Sequence, residues 1–202
     1  MKIITITISL LLLSSPIYAC QKVLNSMFNL SGFKQCQSLV SRCPSQGPLP
    51  NKECESKILE TRKVCQQGRA LVHALMSRTT LLSMTNFDPY YLVAQYYIGD
   101  GKTGYSILTP KGCLVSTLVN PKKVSTSLAK QYRNTSFGIM NLGKPSLKHE
   151  PNEPLIFSVP LRITDTCLAC RVIGDAVLNF EFTEQGKLAK ITLASFSRHQ
   201  DQ

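Results

Sequence analysis

The feature that most constrains the fold of this chain is a set of four cysteines on two helix-like segments that flank a proline-rich turn. In the first segment, steps of three and four residues separate Phe33, Cys36, Val40 and Cys43. The second segment repeats those steps at Cys54, Ile58, Thr61, Cys65, Gly68, Val72 and Leu75. This spacing is typical of one face of an α-helix, so both pairs of cysteines are predicted to lie where two helices meet.

The turn over residues 44–50 is too short for anything but an antiparallel return of the chain, and Asn51 after it is the predicted N-cap of the second helix. In an antiparallel hairpin, residues equally far from the turn face each other. This geometry favours the nested disulfides Cys43–Cys54 and Cys36–Cys65 over the crossed pairing. A zinc site is the alternative, but zinc sites favour two cysteines separated by only two to four residues, a spacing that neither helix has.

Residues 1–19 have the pattern of a signal peptide, in which a lysine precedes an apolar run over residues 3–13 and Ala19 ends the segment. Residues 17–20 also resemble a bacterial lipoprotein cleavage site, in which the cysteine carries the lipid. Lipidation of Cys20 would leave an odd number of cysteines in an oxidising compartment. The sequence therefore predicts export to the periplasm or the medium and favours a disulfide at Cys20, with a lipid anchor there as the alternative.

The rest of the chain is predicted to be mainly β-sheet, apart from two helical pieces. Residues 20–32 are predicted to be helical with a bend at Ser31-Gly32, and another helix is predicted to begin at Asn120 and to bury Val124 and Leu128. The predicted strands cover residues 89–98, 105–109, 113–119, 136–142, 155–164, 171–182 and 187–196.

The strongest strand signal is an alternation over residues 171–182, whose apolar side holds Val172, Gly174, Ala176, Leu178, Phe180 and Phe182. Pro160 indicates an edge position or a bulge in the preceding strand. Helices followed by strands in hairpins predict an α+β protein, with an N-terminal disulfide-stapled helical hairpin and then an antiparallel β-sheet with one crossing helix. The predicted parts are a signal peptide at residues 1–19, the hairpin at residues 20–78 and a sheet domain at residues 79–202.

Cys167 and Cys170 form a C-x-x-C motif, which suggests thiol–disulfide exchange. In enzymes of that class the pair lies at the N-terminus of a helix, whereas here it runs into a predicted strand. A structural bridge between Cys167 and Cys170 is therefore favoured. Cys113 and Cys20 are then left to pair with each other, unless one of them captures Cys167 or Cys170. No cofactor or metal site is indicated.

The formal net charge of +11 is unevenly distributed along the chain. Residues 101–150 contain eight lysines or arginines and one acid, whereas residues 151–202 contain five basic and six acidic residues. Such an excess suggests an anionic partner, although a basic surface also keeps a protein in solution. The predicted site for that partner is a group of basic residues on or beside the helix predicted at Asn120, namely Lys122, Lys123, Lys130 and Arg133.

These features predict an exported, disulfide-stabilised binding or structural protein of the cell envelope, within an envelope or secretion-related assembly. Its predicted partner is another envelope protein or an anionic envelope surface, since basic and aromatic residues do not alternate as they do in nucleic-acid binding. No transmembrane span is predicted, because no stretch reaches about 20 apolar residues. The alternative is an exported enzyme that uses thiol chemistry at Cys113 or at the Cys167/Cys170 pair.

Overall fold

The computed structural model describes residues 21–22, 29–46, 49–67, 69–70, 80–88, 91–99, 102–150, 153–167 and 170–199. Its α-helices with described bounds are α1 (Leu30–Val40), α2 (Lys52–Thr61) and α3 (Thr126–Gln131). Residues 66–67 and 69–70 are α-helical as well. Its strands there are β1 (Gln21–Lys22), β2 (Ser45–Gln46), β3 (Leu49–Pro50), β4 (Thr80–Asp88), β5 (Tyr91–Gly99), β6 (Lys102–Leu108), β7 (Cys113–Ser116), β8 (Phe137–Asn141), β9 (Ser146–Lys148), β10 (Leu155–Asp165), β11 (Val172–Phe182) and β12 (Leu188–Arg198). None of the described helices is long and apolar enough to cross a membrane. Helices precede most of the strands, which confirms the predicted α+β class.

The first two helices form the predicted hairpin, and both of its nested disulfides are confirmed. Cys36 is bonded to Cys65 and Cys43 to Cys54, with Cα–Cα distances of 5.0 and 5.8 Å. Asn51 is the N-cap of α2, as predicted, because its side chain accepts hydrogen bonds from the next backbone N–H groups. A small apolar cluster between the helices adds to the two disulfides in holding the hairpin together.

The start of α1 and the end of α2 differ from the predictions. α1 begins at Leu30, so Ser31-Gly32 lies inside the helix and does not form a bend. α2 ends at Thr61, whose hydroxyl donates a hydrogen bond of 2.7 Å to the carbonyl of Lys57. Back-bonding of this kind competes with the regular helix ladder. The chain continues through a 3₁₀ turn, Lys63–Cys65, which brings the last cysteine of the hairpin to its disulfide partner.

The helix predicted over residues 20–32 is wrong at its beginning, where Gln21–Lys22 forms β1 and pairs antiparallel with β7. Pairing with a strand distant in sequence overrides the weak helical pattern of so short a segment. The end of the second predicted helix, at Val72 and Leu75, lies outside the described residues, as does the predicted boundary at residue 78.

The strands form two large antiparallel sheets, whereas the sequence predicted one. In the first sheet the order is β1-β7-β6-β5-β4, and in the second it is β12-β11-β10-β8, with β9 also pairing with β10. β4 and β9 fall outside the predicted strands. A small further ladder joins β2 to β3 in the turn of the helical hairpin. The sheets are antiparallel throughout because their neighbouring strands are mostly joined by short turns.

The two large sheets face each other across a shared core, into which every second residue of the central strands points. Tyr91 and Val93 of β5 belong to this core together with Phe157 and Val159 of β10. The side chains that β11 adds to it are Leu178, Phe180 and Phe182, all without exposed area, which confirms the alternation predicted for that strand. Burial of each large apolar side chain stabilises the fold by about 1.5–3 kcal/mol.

Two irregularities shape the second sheet. Pro160 lies inside β10 and not at a sheet edge, and its carbonyl accepts a hydrogen bond from the N–H of Leu142. Proline has no backbone N–H to donate, and its nitrogen faces the gap between β8 and β9, where no ladder hydrogen bond is needed. A bulge opposite Thr164 leaves Ile173 as an extra residue in β11, so both Ile173 and Gly174 are buried.

The face of the first sheet opposite the shared core is buried as well. Buried and exposed residues therefore do not alternate along β5. Tyr96 lies on this face against Gly104, where a Cβ atom would come within 2.6 Å of the tyrosine ring. Burial raises the pKa of Tyr96, while hydrogen bonds with Ser106 and Ser116 act in the opposite direction. The buried apolar residues on the same face are Leu92, Ala94, Leu108 and Leu114.

Candidate anion-binding site

The basic segment near residue 120 is built from two short helical turns and not from one continuous helix. The side chain of Asn120 caps the 3₁₀ turn Pro121–Lys123, and the side chain of Ser125 caps α3. Each cap accepts a hydrogen bond from a backbone N–H and so starts a new turn. Leu128 is buried and Val124 packs against the main core, as predicted, so the apolar side of the segment faces inward.

This interruption gives the four predicted cations different surroundings. Three of them are exposed, namely Lys123, Lys130 and Arg133. Lys122 is half-buried, and its Nζ donates hydrogen bonds to the carbonyl oxygens of Tyr132 at 3.1 Å and Thr135 at 2.6 Å. Lys122 therefore differs from the exposed position predicted for it, because its ammonium ties the chain after α3 back to the 3₁₀ turn.

The ammonium of Lys122 also lies 4.8 Å from the centroid of the Phe137 ring, close enough for a cation–π contact. No carboxylate in the described part of the chain forms an ion pair with Lys122. Carbonyl dipoles and an aromatic face hold its charge without neutralising it, so a positive potential remains around this side chain.

A recess of about 390 Å³ opens beside this lysine, and we call it the Lys122 recess. Its lining residues are Asn120, Lys122, Arg133, Asn134, Thr135, Ser136 and Phe137. Two of these residues are cations and none is acidic. The remaining polar residues supply amide and hydroxyl groups, which can donate hydrogen bonds to an anion.

The turn between β10 and β11 supports the wall of the Lys122 recess. A disulfide joins Cys167 to Cys170 in this turn, and the N–H of Thr166 donates a hydrogen bond of 2.8 Å to the carbonyl of Ser136. A Cβ atom on Gly138 would lie 2.7 Å from the backbone of Cys167, so only glycine allows this close approach. The turn and the start of β8 therefore pack directly on each other.

The cysteines considered for thiol chemistry are disulfide-bonded. The bond between Cys167 and Cys170 spans a Cα–Cα distance of 5.1 Å, and the pair precedes a strand and not a helix. Cys113 in β7 is disulfide-bonded as well, and Cys20 lies outside the described residues. A nucleophilic thiolate at Cys113, Cys167 or Cys170 would first require reduction of a disulfide.

A second basic recess, of about 230 Å³, lies where α2 ends. Its lining residues are Leu59, Glu60, Thr61, Arg62, Lys63, Gln66 and Arg69. Three cations line it, but Glu60 adds a negative charge that the Lys122 recess lacks. The Lys122 recess is therefore the stronger candidate for an anion.

Sequence reasoning missed a charged cluster on the second sheet. Arg162 lies opposite Asp175 in the β10–β11 register, with 3.1 Å from Nε to Oδ1, and Nε2 of His199 lies 3.0 Å from Oδ2 of Asp175. Partial burial acts to raise the pKa of Asp175, but the hydrogen bonds and charges of Arg162 and His199 outweigh it and hold this pKa below its ordinary value. Strand alternation could have placed Arg162 and Asp175 on outward positions, but only the register makes them neighbours.

Glu55 is a second residue that the sequence pattern missed. It is 7% exposed, and α2 buries Glu55 and Leu59 while the predicted face residue Thr61 is exposed. Burial raises the pKa of Glu55, and the nearby charge of Lys52 acts in the opposite direction. A carboxylic acid contributes nothing to a hydrophobic pattern, so periodicity could not predict that Glu55 is buried.

No protein-family model matches this chain, and comparison with curated proteins and with solved structures finds no significant match. Across the residues that the structure describes, no three His, Cys, Asp or Glu side chains are grouped so that they could hold a metal ion. The function therefore has to be argued from the charges, the recess and the disulfides of the chain itself.

Proposed function

We propose that this chain is an exported, disulfide-stabilised binding protein that holds an anionic surface of the cell envelope through basic residues on and beside α3. We call this group the α3 basic face; it consists of Lys123 in the 3₁₀ turn, Lys130 in α3 and Arg133 just after α3. The observation that carries the proposal is that all three cations are exposed on one short segment, of which Arg133 also lines a recess without an acid. Near an anionic membrane surface, each such cation contributes about 1 kcal/mol of attraction.

The disulfides support the part of the proposal that concerns export. Three bonds join six cysteines in pairs, and Cys113 is disulfide-bonded in addition. Structural disulfides are rare in compartments where thiols are kept reduced. Together with the signal-like residues 1–19, they favour the periplasm or the medium as the place where this protein acts.

The proposal includes cleavage after Ala19 and a disulfide between Cys20 and Cys113, with a lipid anchor at Cys20 as the alternative. The other six cysteines are bonded to one another, so Cys113 has its partner outside that set. We expect osmotic shock to release the protein without detergent, with an unmodified Cys20 as its first residue. A fatty-acid label that disappears in Cys20→Ser but persists in Cys113→Ser would show a lipoprotein instead.

Changing Lys123, Lys130 and Arg133 together to glutamine is expected to weaken binding to anionic phospholipid vesicles at least roughly tenfold, because three attractions of about 1 kcal/mol are lost. The fold should remain intact, since all three side chains are exposed. Binding of the unchanged protein should also fall as salt rises, because salt screens such charges within about 8–10 Å. Co-sedimentation with phosphatidylglycerol vesicles at low and physiological salt measures both effects.

The matched control removes three exposed lysines elsewhere, in the variant Lys57→Gln, Lys148→Gln and Lys187→Gln. This variant has the same net charge as the first but keeps the α3 basic face. An equal loss of binding in both variants would mean that net charge alone attracts the vesicles. Binding that survives both the first variant and high salt would contradict the proposal and direct the search towards a protein partner.

An exported thiol enzyme is the second candidate function, and the exposure of Cys167 in a turn is the observation in its favour. Intact mass before and after alkylation of the native protein separates the two candidates. A fully oxidised, unreactive protein supports the binding function. Alkylation at Cys113 or Cys167 without added reductant would support the enzyme.

A further inference from the structure

The chemistry of the Lys122 recess defines its ligand more narrowly than the exposed cations of α3 do. Lys122 and Arg133 carry its two charges, Asn134 offers an amide, and Thr135 and Ser136 offer hydroxyl groups. Because the lining holds two cations and no acidic residue, it complements an anion with about two negative charges. A phosphomonoester has nearly that charge at neutral pH. A carboxylate or a phosphodiester, with one negative charge, would leave one of the two cations unmatched.

The ammonium of Lys122 is already held in place for such a ligand. It has three N–H donors, of which two are used by the carbonyls of Tyr132 and Thr135. These two bonds and the contact with the Phe137 ring orient the head group. An anion in the recess would therefore accept a charge-assisted hydrogen bond without the entropic cost of ordering a flexible lysine.

Arg133 supplies the second charge from an exposed position at the recess. Its planar guanidinium can donate two parallel hydrogen bonds to two oxygens of one phosphate, which a lysine cannot do. Lys123 and Lys130 are exposed on the same segment but are not among the lining residues. Arg133 belongs to both the recess and the α3 basic face, but changing Lys123 and Lys130 alters the basic face without changing the lining of the recess.

The wall of the recess is positioned before any ligand arrives. Phe137 begins β8, which pairs with β10, and the carbonyl of Ser136 accepts the hydrogen bond from Thr166. Asp165 is the acid opposite Phe137 in this register, and its carboxylate accepts a hydrogen bond of 2.9 Å from the hydroxyl of Thr166. A site carried on paired strands keeps its donors in a defined geometry, which reduces the cost of binding.

From these observations we propose that the Lys122 recess binds a phosphomonoester group, such as the one on a phosphorylated sugar or on a lipid headgroup. The inference rests on the proposed function for its setting, an anionic envelope surface, and adds the chemical group that is recognised. Lys122 and Arg133 bind the phosphate, while Lys123 and Lys130 attract the surface that carries it.

The test is a titration of the oxidised, full exported chain with glycerol 3-phosphate, followed by nuclear magnetic resonance of the backbone amides. Amide shifts are expected in residues 133–137, and glycerol at equal concentration should cause none. Arg133→Gln should weaken this binding at least roughly tenfold, because a charge-assisted hydrogen bond is lost. Unchanged affinity in Arg133→Gln, or shifts that are spread over the surface, would overturn the inference.

Lys187→Gln is the matched single-charge control. Lys187 is exposed and lies just before β12, near the end of β10 that pairs with Phe182, whereas Phe137 pairs at the other end. The eleven residues of β10 separate these ends by roughly 33 Å. Lys187→Gln is therefore expected to leave the affinity for glycerol 3-phosphate unchanged within about twofold.

A second variant, Lys123→Gln with Lys130→Gln, separates this inference from the proposed function. It should weaken vesicle binding but keep the affinity for glycerol 3-phosphate. Vesicle binding by the α3 basic face without any glycerol 3-phosphate binding would overturn the inference about the recess and leave the proposed function standing. Binding of glycerol 3-phosphate at the recess without vesicle binding would support the inferred phosphate site. It would contradict the proposal that the protein binds an anionic membrane surface.

Two kinds of vesicle identify the source of the phosphate. Phosphatidic acid carries a phosphomonoester and phosphatidylglycerol a phosphodiester, so at matched surface charge they differ in the group that the recess would bind. Tighter binding to phosphatidic acid, lost in Arg133→Gln, would identify a lipid headgroup. Equal binding to both vesicles, with glycerol 3-phosphate still bound at residues 133–137, would identify a soluble phosphorylated ligand.

Discussion

Phe157→Ala is expected to lower the free energy of unfolding by about 3–5 kcal/mol, because the surrounding strands cannot close the cavity left by the ring. Phe157 has no exposed area and contacts the rings of Tyr91 and Phe182, at centroid distances of 5.7 and 5.8 Å. Tyr91 belongs to the first sheet and Phe182 to the second. Tyr91 and Phe182 also contact each other, at 5.4 Å, so the three rings form one cluster across the sheets. Losing the ring of Phe157 from this cluster should therefore weaken the contact between the sheets, as urea denaturation of the oxidised protein would measure.

Leu142→Ala is the control for this prediction, because it truncates an apolar side chain that is 42% exposed. Its expected effect on the free energy of unfolding is within about 0.5 kcal/mol. If Phe157→Ala also cost less than about 1 kcal/mol, the two sheets would not share the core that the structure shows.

Removing the Cys36–Cys65 disulfide, by changing both cysteines to serine, is expected to lower the free energy of unfolding by about 3.6 kcal/mol. The bond joins residues 29 positions apart, and a disulfide stabilises a protein mainly by restricting its unfolded chain, more so for longer loops. Cys43 and Cys54 are 11 positions apart, so removing their bond should cost less, about 2.8 kcal/mol. Urea denaturation of each double variant, with the remaining disulfides oxidised, measures these losses.

The Cys167–Cys170 bond provides the short-loop control, since its cysteines are only 3 positions apart. Changing both to serine is expected to cost about 1.9 kcal/mol, the smallest of the three losses. Equal losses for all three bonds would contradict the loop-length argument. They would mean that local packing around the sulfurs dominates.

The helical hairpin could be predicted from sequence because its information is local. The spacing of the cysteines defines two helix faces, and the short turn allows only one set of partners to meet, so the pairs Cys36–Cys65 and Cys43–Cys54 follow. The C-terminal end of α2 could not be predicted in the same way. It depends on the hydroxyl of Thr61 and on the position that Cys65 must take, and periodicity describes neither.

The candidate site was predicted only in part, for a related reason. Charge counting located the basic segment, but it treated Lys122 and Lys123 alike. The caps at Asn120 and Ser125 divide the segment, and Lys122 then bonds to carbonyls 10 and 13 positions further along the chain. A count of charges cannot detect such contacts, so the Lys122 recess became visible only in the folded chain.

The sequence by itself determined the features that depend on neighbouring residues. These are the α+β class, the antiparallel return at the proline-rich turn, and the inward side of β11 with Leu178, Phe180 and Phe182. The tertiary structure decided the division of the strands into two sheets, the pairing of β1 with β7, and the burial of Glu55. Each of these depends on which distant segments meet, and side-chain patterns with periods of two or 3.6 residues carry no information about that.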